Sequence, residues 1–288
     1  MSGQGRYERR NQSYDTQSSE IRAPSLISSE PGGFQLAVCS EMVFTDLPLI
    51  DRVRRIHDMG FAVEIWSWHD KDLQALADTG ARFSSMTGYL HGDLIDPATA
   101  DEVVRTAELS IKAAETLGVP RLNLHTAELV DGKAARPRYR ATGEMWATAL
   151  RTLERIGELG AAADVTFCVE NLNTIVDHPG VPLARAKDTL ALVEGVGHPN
   201  VKMMLDLYHA QIGEGNLIEL VRRCGDAIGE IQVADVPGRC EPGTGEINYP
   251  AIATVLRDIG FTGAVGMEAW ASGDSVTALE AFRRAFSS

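Results

Sequence analysis

VTFCVE, residues 165–170, is an apolar run with the composition of a buried strand, and it closes on a carboxylate, Glu170. VKMMLD (201–206) closes on Asp206, AVGMEA (264–269) carries Glu268 near its end, and IGEIQVAD (228–235) contains Gln232 and closes on Asp235. Burying three carboxylates without a counter-charge costs several kcal/mol each, and no Lys or Arg lies within two positions of Glu170 or Glu268. A divalent metal ion resolves the anomaly most simply. Glu170, Asp206, Gln232 and Glu268 are separated by 36, 26 and 36 positions, each about one strand–helix–strand unit, so the four are expected to converge at one end of a barrel.

Upstream, FQLAVC (34–39), AVEIWS (62–67), RFSSMT (82–87) and RLNLHT (121–126) complete a set of eight strand candidates. Helical patterns with apolar residues at i, i+3, i+4 and i+7 lie between them. In LPLIDRVRRIHDMG, Leu49, Val53 and Ile56 share a face and Gly60 supplies the stop. The segment Pro97–Leu117 is expected to open with Pro97 in its first turn and to break at Gly118-Val119-Pro120. Glu144–Gly160, Lys187–Val196, Leu217–Cys224, Tyr249–Ile259 and Ser275–Phe286 follow the same logic. The predicted fold class is therefore α/β, a (β/α)8 TIM barrel forming a single domain over 34–288. A doubly wound open sheet is the rival, but no GxGxxG follows the first strand. Residues 1–33 are rich in Ser, Gln, Gly and Arg, lack a hydrophobic period and read as a disordered tail.

Removing such a tail from 288 residues leaves about the 250 typical of this barrel. No apolar stretch approaches the roughly 18 residues of a membrane span, and the N-terminus has no apolar segment of the secretory kind, so membrane insertion is not expected. A formal charge of −13 repels phosphate backbones and makes nucleic acid a poor partner. Cys39, Cys168, Cys224 and Cys240 form no CxxC pair and read as free thiols, which fits a cytoplasmic location. The expected partner is a small-molecule substrate; assembly into a homo-oligomer is compatible with the sequence.

Two Glu, one Asp and one Gln offer an all-oxygen shell, which suits one divalent ion, Mg²⁺ or Mn²⁺, better than zinc or copper. Gln232 and Asp235 both remain candidates at the third position. An ion so held chelates a carbonyl and an adjacent hydroxyl and stabilises the charge that develops on proton loss, which points to isomerisation through an enediolate. His209, three residues after Asp206, is placed to reach a substrate oxygen, and Arg239, in the polar loop VADVPGRCEPGTGEINY with Glu241, to pair with a substrate carboxylate. Asn171 and Asn173 follow Glu170 directly, while Glu64, Trp66, Trp68, His69, His91 and His125 lie at or beyond the ends of earlier strands and are candidates to line the pocket. His57 and His198 read as structural. Ser-His-Asp hydrolysis has no support, since no GxSxG occurs.

ENLN (170–173), DLYHAQ (206–211) and above all IQVADVPGRCEPGTGEINY (231–249) resemble the hydroxypyruvate isomerase family, within the xylose isomerase-like sugar phosphate isomerase-epimerase TIM barrels, over 34–286. The resemblance implies an intramolecular oxidoreductase with one divalent metal held by Glu170, Asp206, Gln232 and Glu268, the two glutamates also being catalytic as the acid/base pair. It selects Gln232 over Asp235. Substrate-binding residues would be His209, Arg239, Asn173 and Glu241. The implied reaction is conversion of a small α-hydroxy carbonyl compound, hydroxypyruvate to 2-hydroxy-3-oxopropanoate (tartronate semialdehyde); another small keto acid or a ketose is the alternative. Thr174-Ile175-Val176 stands where close hydroxypyruvate isomerases carry a His–Phe–Asp stretch. Two rivals remain: metal-dependent phosphoester cleavage, because endonuclease IV shares the barrel ancestry, and a non-catalytic barrel acting as subunit or sensor.

Overall fold

The computed structural model describes residues 33–287, so the expected tail lies outside the described residues except for Gly33. Eight parallel strands form a closed barrel: β1 Gln35–Cys39, β2 Ala62–Ile65, β3 Phe83–Thr87, β4 Arg121–Leu124, β5 Thr166–Glu170, β6 Val201–Asp206, β7 Ile228–Val233 and β8 Ala264–Met267. They stand around the ring in chain order, and β8 closes on β1 with Val265 opposite Leu36. All eight predicted strands are present, each ending within two residues of its expected position.

The helices are α1 Leu49–Asp58, α2 Leu73–Ala77, α3 Ala100–Leu117, α4 Gly143–Ala163, α5 Ala186–Val196, α6 Leu207–Gly213, α7 Leu217–Cys224, α8 Tyr249–Asp258 and α9 Ser275–Ser287. Their apolar faces pack on the outside of the sheet, where Val53, Ile56, Val103, Leu153, Ile156 and Phe282 are completely buried. Caps match the local sequence: Thr142 Oγ1 accepts from the Met145 amide at the start of α4, and Gly118 takes a left-handed φ of 66° at the end of α3. The predicted start of α3 needs correction. Pro97 lies in a turn in which Asp96 O accepts from the amides of Thr99 and Ala100, and the helix begins only at Ala100.

Two short helices, α2 and α6, and a small hairpin pairing Leu129–Val130 with Lys133–Ala134 were not expected. α6 matters most, because Asp206 ends β6 and at once caps this helix: its Oδ1 accepts the His209 amide at 2.7 Å. A ligand candidate and a histidine three residues on are thereby fixed together. The four cysteines are free thiols, three of them buried. Among the described residues no helix is long and apolar enough to cross a membrane.

Candidate active site

At the C-terminal ends of the strands, where barrels of this kind place their chemistry, the proposed metal ligands come together. Asp206 and Gln232 are register partners across β6 and β7, Gly266 of β8 pairs with Gln232, and Glu170 closes β5 opposite Met204. A cavity of about 30 Å³ is lined by Glu64, Trp66, Asn123, Glu170, Gln232 and Glu268, among others.

Glu170 is buried. Its Oε2 accepts from Asn123 Nδ2 at 2.6 Å and faces His125 Nε2 at 3.0 Å, while His209 Nε2 stands 4.0 Å from Oε1. Burial alone raises this carboxyl, but hydrogen bonding and charge from His125 and the hydrogen bond from the Asn123 amide bring it down to about 2. His125 is itself braced, with Nδ1 3.1 Å from the Tyr89 hydroxyl, which donates to Ala127 O. Asn123 and His125 alternate on one face at the end of β4, so strand periodicity carried the signal for Asn123.

Asp206 is almost fully buried, and burial together with the charges of Glu170 and Glu268 pushes its carboxyl well above the usual range. Asn171 pins the ends of β5 and β6 by donating to Asp206 O and accepting the Asp206 amide. Asn173 settles the state of His209. Its Oδ1 accepts the amides of Val176 and Asp177, which fixes the side-chain amide so that Nδ2 points at His209 Nδ1, 2.7 Å away. Nδ1 is thus an acceptor, and in the neutral ring the proton sits on Nε2. Burial and the nearby Arg239 hold His209 well below the usual histidine range, hence neutral. Among the described residues its buried Nε2 has no hydrogen-bond partner, and it lies 4.0 Å from Glu170 Oε1 and from Asp206 Oδ2. Glu170, Asp206 and His209 are close enough to share an ion, yet a ring with its proton on Nε2 donates there rather than ligates.

Gln232 donates Nε2 to Glu64 Oε2 at 3.0 Å, leaving Oε1 buried without a partner among the described residues. Glu268 is gripped at both oxygens: Trp66 Nε1 donates to Oε1 at 2.5 Å and Arg239 Nη2 to Oε2 at 2.6 Å. Burial nevertheless leaves its carboxyl raised, against the lowering pull of Arg239. Arg239 sits at a left-handed φ of 54°, 5.2 Å over the Tyr208 ring and 4.0 Å from Asp177 Oδ1, and its Nε is buried without a partner. Asp177 and Tyr208, which sequence reasoning passed over, hydrogen-bond one another at 3.1 Å; nothing local in the sequence marks them.

Other candidates are placed elsewhere. Asp235 accepts the amides of Val236, Gly243 and Ile247 and so organises the loop that carries Arg239. Glu241, expected to bind substrate, accepts from the Ser272 amide and hydroxyl, one bond on each oxygen. Trp68 donates outward to Ser110 on α3, His69 bonds Ser67, and His91 is a largely exposed partner of Glu128. Of the first-half candidates, Glu64, Trp66 and His125 reach the site.

The chain belongs to the xylose isomerase-like TIM barrel family, whose sequence profile matches residues 53–286. A relative from Haemophilus influenzae, 2-oxo-tetronate isomerase, is 30% identical over 255 residues, covering 84% of this chain and 96% of its own. A human putative hydroxypyruvate isomerase is 34% identical over 177 residues, which is 61% of this chain and 63% of the relative's length. Among solved structures, an AP endonuclease of family 2 from Brucella melitensis superimposes with a TM-score of 0.75 at 26% identity, covering 87% of this chain and 98% of that one. An L-ribulose 3-epimerase shares the fold, with a TM-score of 0.71 at 20% identity, covering 87% and 92% of the two chains.

Proposed function

We propose that the protein is an isomerase of a small α-hydroxy keto acid, hydroxypyruvate or a close homologue, working with one divalent ion, Mg²⁺ or Mn²⁺. The observation that carries this reading is two glutamates on one cavity with opposite partners: Glu170 accepts from Asn123 and faces His125, which lower its carboxyl, while Glu268 is held by Trp66 and Arg239 and raised by burial. Relatives named hydroxypyruvate isomerase and 2-oxo-tetronate isomerase support the reaction class.

The residues fit an ion. Among the described residues Gln232 Oε1 is a buried oxygen without a donor, and the Asp206 carboxyl is raised by burial and then by the charges of Glu170 and Glu268, against the pull of Arg239. Glu170, Asp206, Gln232 and Glu268 would hold it, and it would supply charge stabilisation for the oxygens of the reacting carbons. Glu170 takes the proton from the carbon bearing the hydroxyl, a proton from Glu268 goes to the neighbouring carbonyl carbon, and the hydroxyl proton moves to the former carbonyl oxygen. His209 Nε2–H donates to a substrate oxygen, and Arg239 faces the substrate carboxylate with its remaining N–H groups. Apart from the ion the cavity has room for little more than water, so the substrate carbons would lie above it, beside Trp66 and Arg239.

The test is isomerisation of hydroxypyruvate in D₂O with Mn²⁺. Deuterium entering the product carbon is the expected result; its absence over a panel of small α-hydroxy keto acids would overturn the reading. The structural likeness to an AP endonuclease motivates a parallel assay on abasic-site DNA, where no cleavage is expected from a chain with Gln at 232 and a charge of −13.

A further inference from the structure

Gln232 is the one neutral group among the four proposed ligands, and an amide has two faces. Turned one way it offers an oxygen to a cation; turned the other it offers an N–H₂ group, which repels one. Something must choose.

We propose that Glu64 is the positioning residue that makes this choice, holding the Gln232 amide with its oxygen toward the ion; the inference rests on the metal-dependent reading above. Glu64 comes from β2, on the other side of the β8–β1 closure, and is buried inside the barrel. Its Oε2 accepts from Gln232 Nε2 at 3.0 Å, and Gln232 Oε1 is the atom left free. Glu230, two residues back on β7 and facing the same way, is buried next to Glu64 with its Oε2 3.4 Å from Arg121 Nε, and it makes no hydrogen bond to the Gln232 amide among the described residues.

A second observation explains how a carboxylate reaches this point. Gly266 of β8 is the register partner of Gln232, and a Cβ built on it would lie 2.1 Å from Glu64 Oε1 and 2.5 Å from Glu64 Cδ. Gly266 has no left-handed backbone angle that would call for glycine. Its missing side chain is the space the Glu64 carboxylate occupies. Positions 64, 232 and 266 therefore form one device spread over three strands, in which a hole admits an acceptor and the acceptor sets an amide.

The experiment measures Mn²⁺ affinity by electron paramagnetic resonance of the free ion, with circular dichroism of the metal-free protein as the folding control. Glu64→Met removes the acceptor at similar size and is expected to weaken Mn²⁺ about 10- to 100-fold, the usual effect of losing a partner of a metal ligand. Glu64→Gln keeps an acceptor oxygen and is expected to stay within about 3-fold of wild type. In a Gln232→Glu background both faces of residue 232 are oxygens, so adding Glu64→Met should change affinity by less than about 2-fold. Gly266→Ala, which crowds Glu64 without removing it, should weaken Mn²⁺ as Glu64→Met does and serves if that variant does not fold. Wild-type affinity in Glu64→Met or Gly266→Ala, or an undiminished loss in the Gln232→Glu background, overturns the assignment while leaving the metal reading intact. Absence of Mn²⁺ binding by the wild-type protein overturns both.

Discussion

Arg239 and Glu268 meet at 2.6 Å across the mouth of the barrel, one from the loop after β7 and the other from the end of β8. The pair joins the group proposed to recognise a substrate carboxylate to the group proposed to move a proton, so binding and chemistry share a charge. Arg239→Met is therefore expected to raise KM for hydroxypyruvate and lower kcat together. The two side chains are only 18% and 17% exposed, so losing one partner leaves a poorly solvated charge and thermal unfolding should also come earlier. Steady-state kinetics with a melting curve checks this; a change in KM alone would separate the two roles.

Glu170→Gln keeps the shape of the side chain and its buried contacts but removes the base. Turnover should fall about 10²- to 10⁴-fold, the range for a general acid–base group, while circular dichroism stays unchanged. Retained activity with metal bound would remove Glu170 from the proton transfer.

Trp66→Phe keeps an aromatic wall and deletes the donor that holds Glu268 Oε1 at 2.5 Å. One hydrogen bond of about 0.5–1.5 kcal/mol corresponds to a roughly 2- to 10-fold fall in kcat. Mn²⁺ affinity, carried chiefly by other groups, should move less than kcat.

The stabilisation that a metal ion gives should depend on pH. Burial raises the carboxyls of Asp206, Glu268 and Glu64, so the folded state holds these protons more tightly than the unfolded chain. Their contribution is present at low pH and is lost as pH rises from about 4, the ordinary carboxyl range, through the raised folded values. Glu170, lowered to about 2, works the other way and loses its contribution only as pH falls below about 4. The metal-free protein should therefore be most stable in mild acid. A bound ion at about 100 times its Kd adds about 2.7 kcal/mol, and the rise in Tm with Mn²⁺ should be larger near pH 8 than near pH 5.5. Differential scanning calorimetry at several pH values reads both effects; equal shifts at all pH values would show that these carboxyls do not meet the ion.

Asp235→Ala removes the acceptor of three loop amides. Unsatisfied buried groups cost about 1–3 kcal/mol, and hydrogen exchange should accelerate across residues 236–247. Mn²⁺ affinity should hold, in contrast to Asp206→Asn. Loss of Mn²⁺ in the Asp235 variant would return that residue to the ligand set.

Strand ends were legible because an apolar run that stops on a carboxylate breaks its own pattern, as Glu170, Asp206 and Glu268 do. Resemblance was needed for Gln232, since residues alone left Asp235 equally placed, and the loop amides that occupy Asp235 exist only in three dimensions. Short elements escaped for a different reason: α2 and α6 are five and seven residues long, too few for a helical period to declare itself. Glu64 was placed in the pocket but given no task, because its partner lies far along the chain. Glu241 shows the converse: its two bonds reach Ser272, thirty-one residues along the chain, so nothing in the sequence marks them.

Closure of the ring between β8 and β1 has a kinetic meaning. Glu64 reaches Gln232 over 168 residues of sequence, and Trp66 reaches Glu268 over 202. Contacts so remote repay their loop-closure entropy only when nearly the whole chain is in place. The groups that aim Gln232 and Glu268 thus engage at the end of folding, and recovery of tight Mn²⁺ binding during refolding should trail the recovery of helical signal. A nascent chain that has not yet made its eighth strand carries Glu170, Asp206 and Gln232 but lacks Glu268, so the proposed acid/base pair is complete only with the last strand.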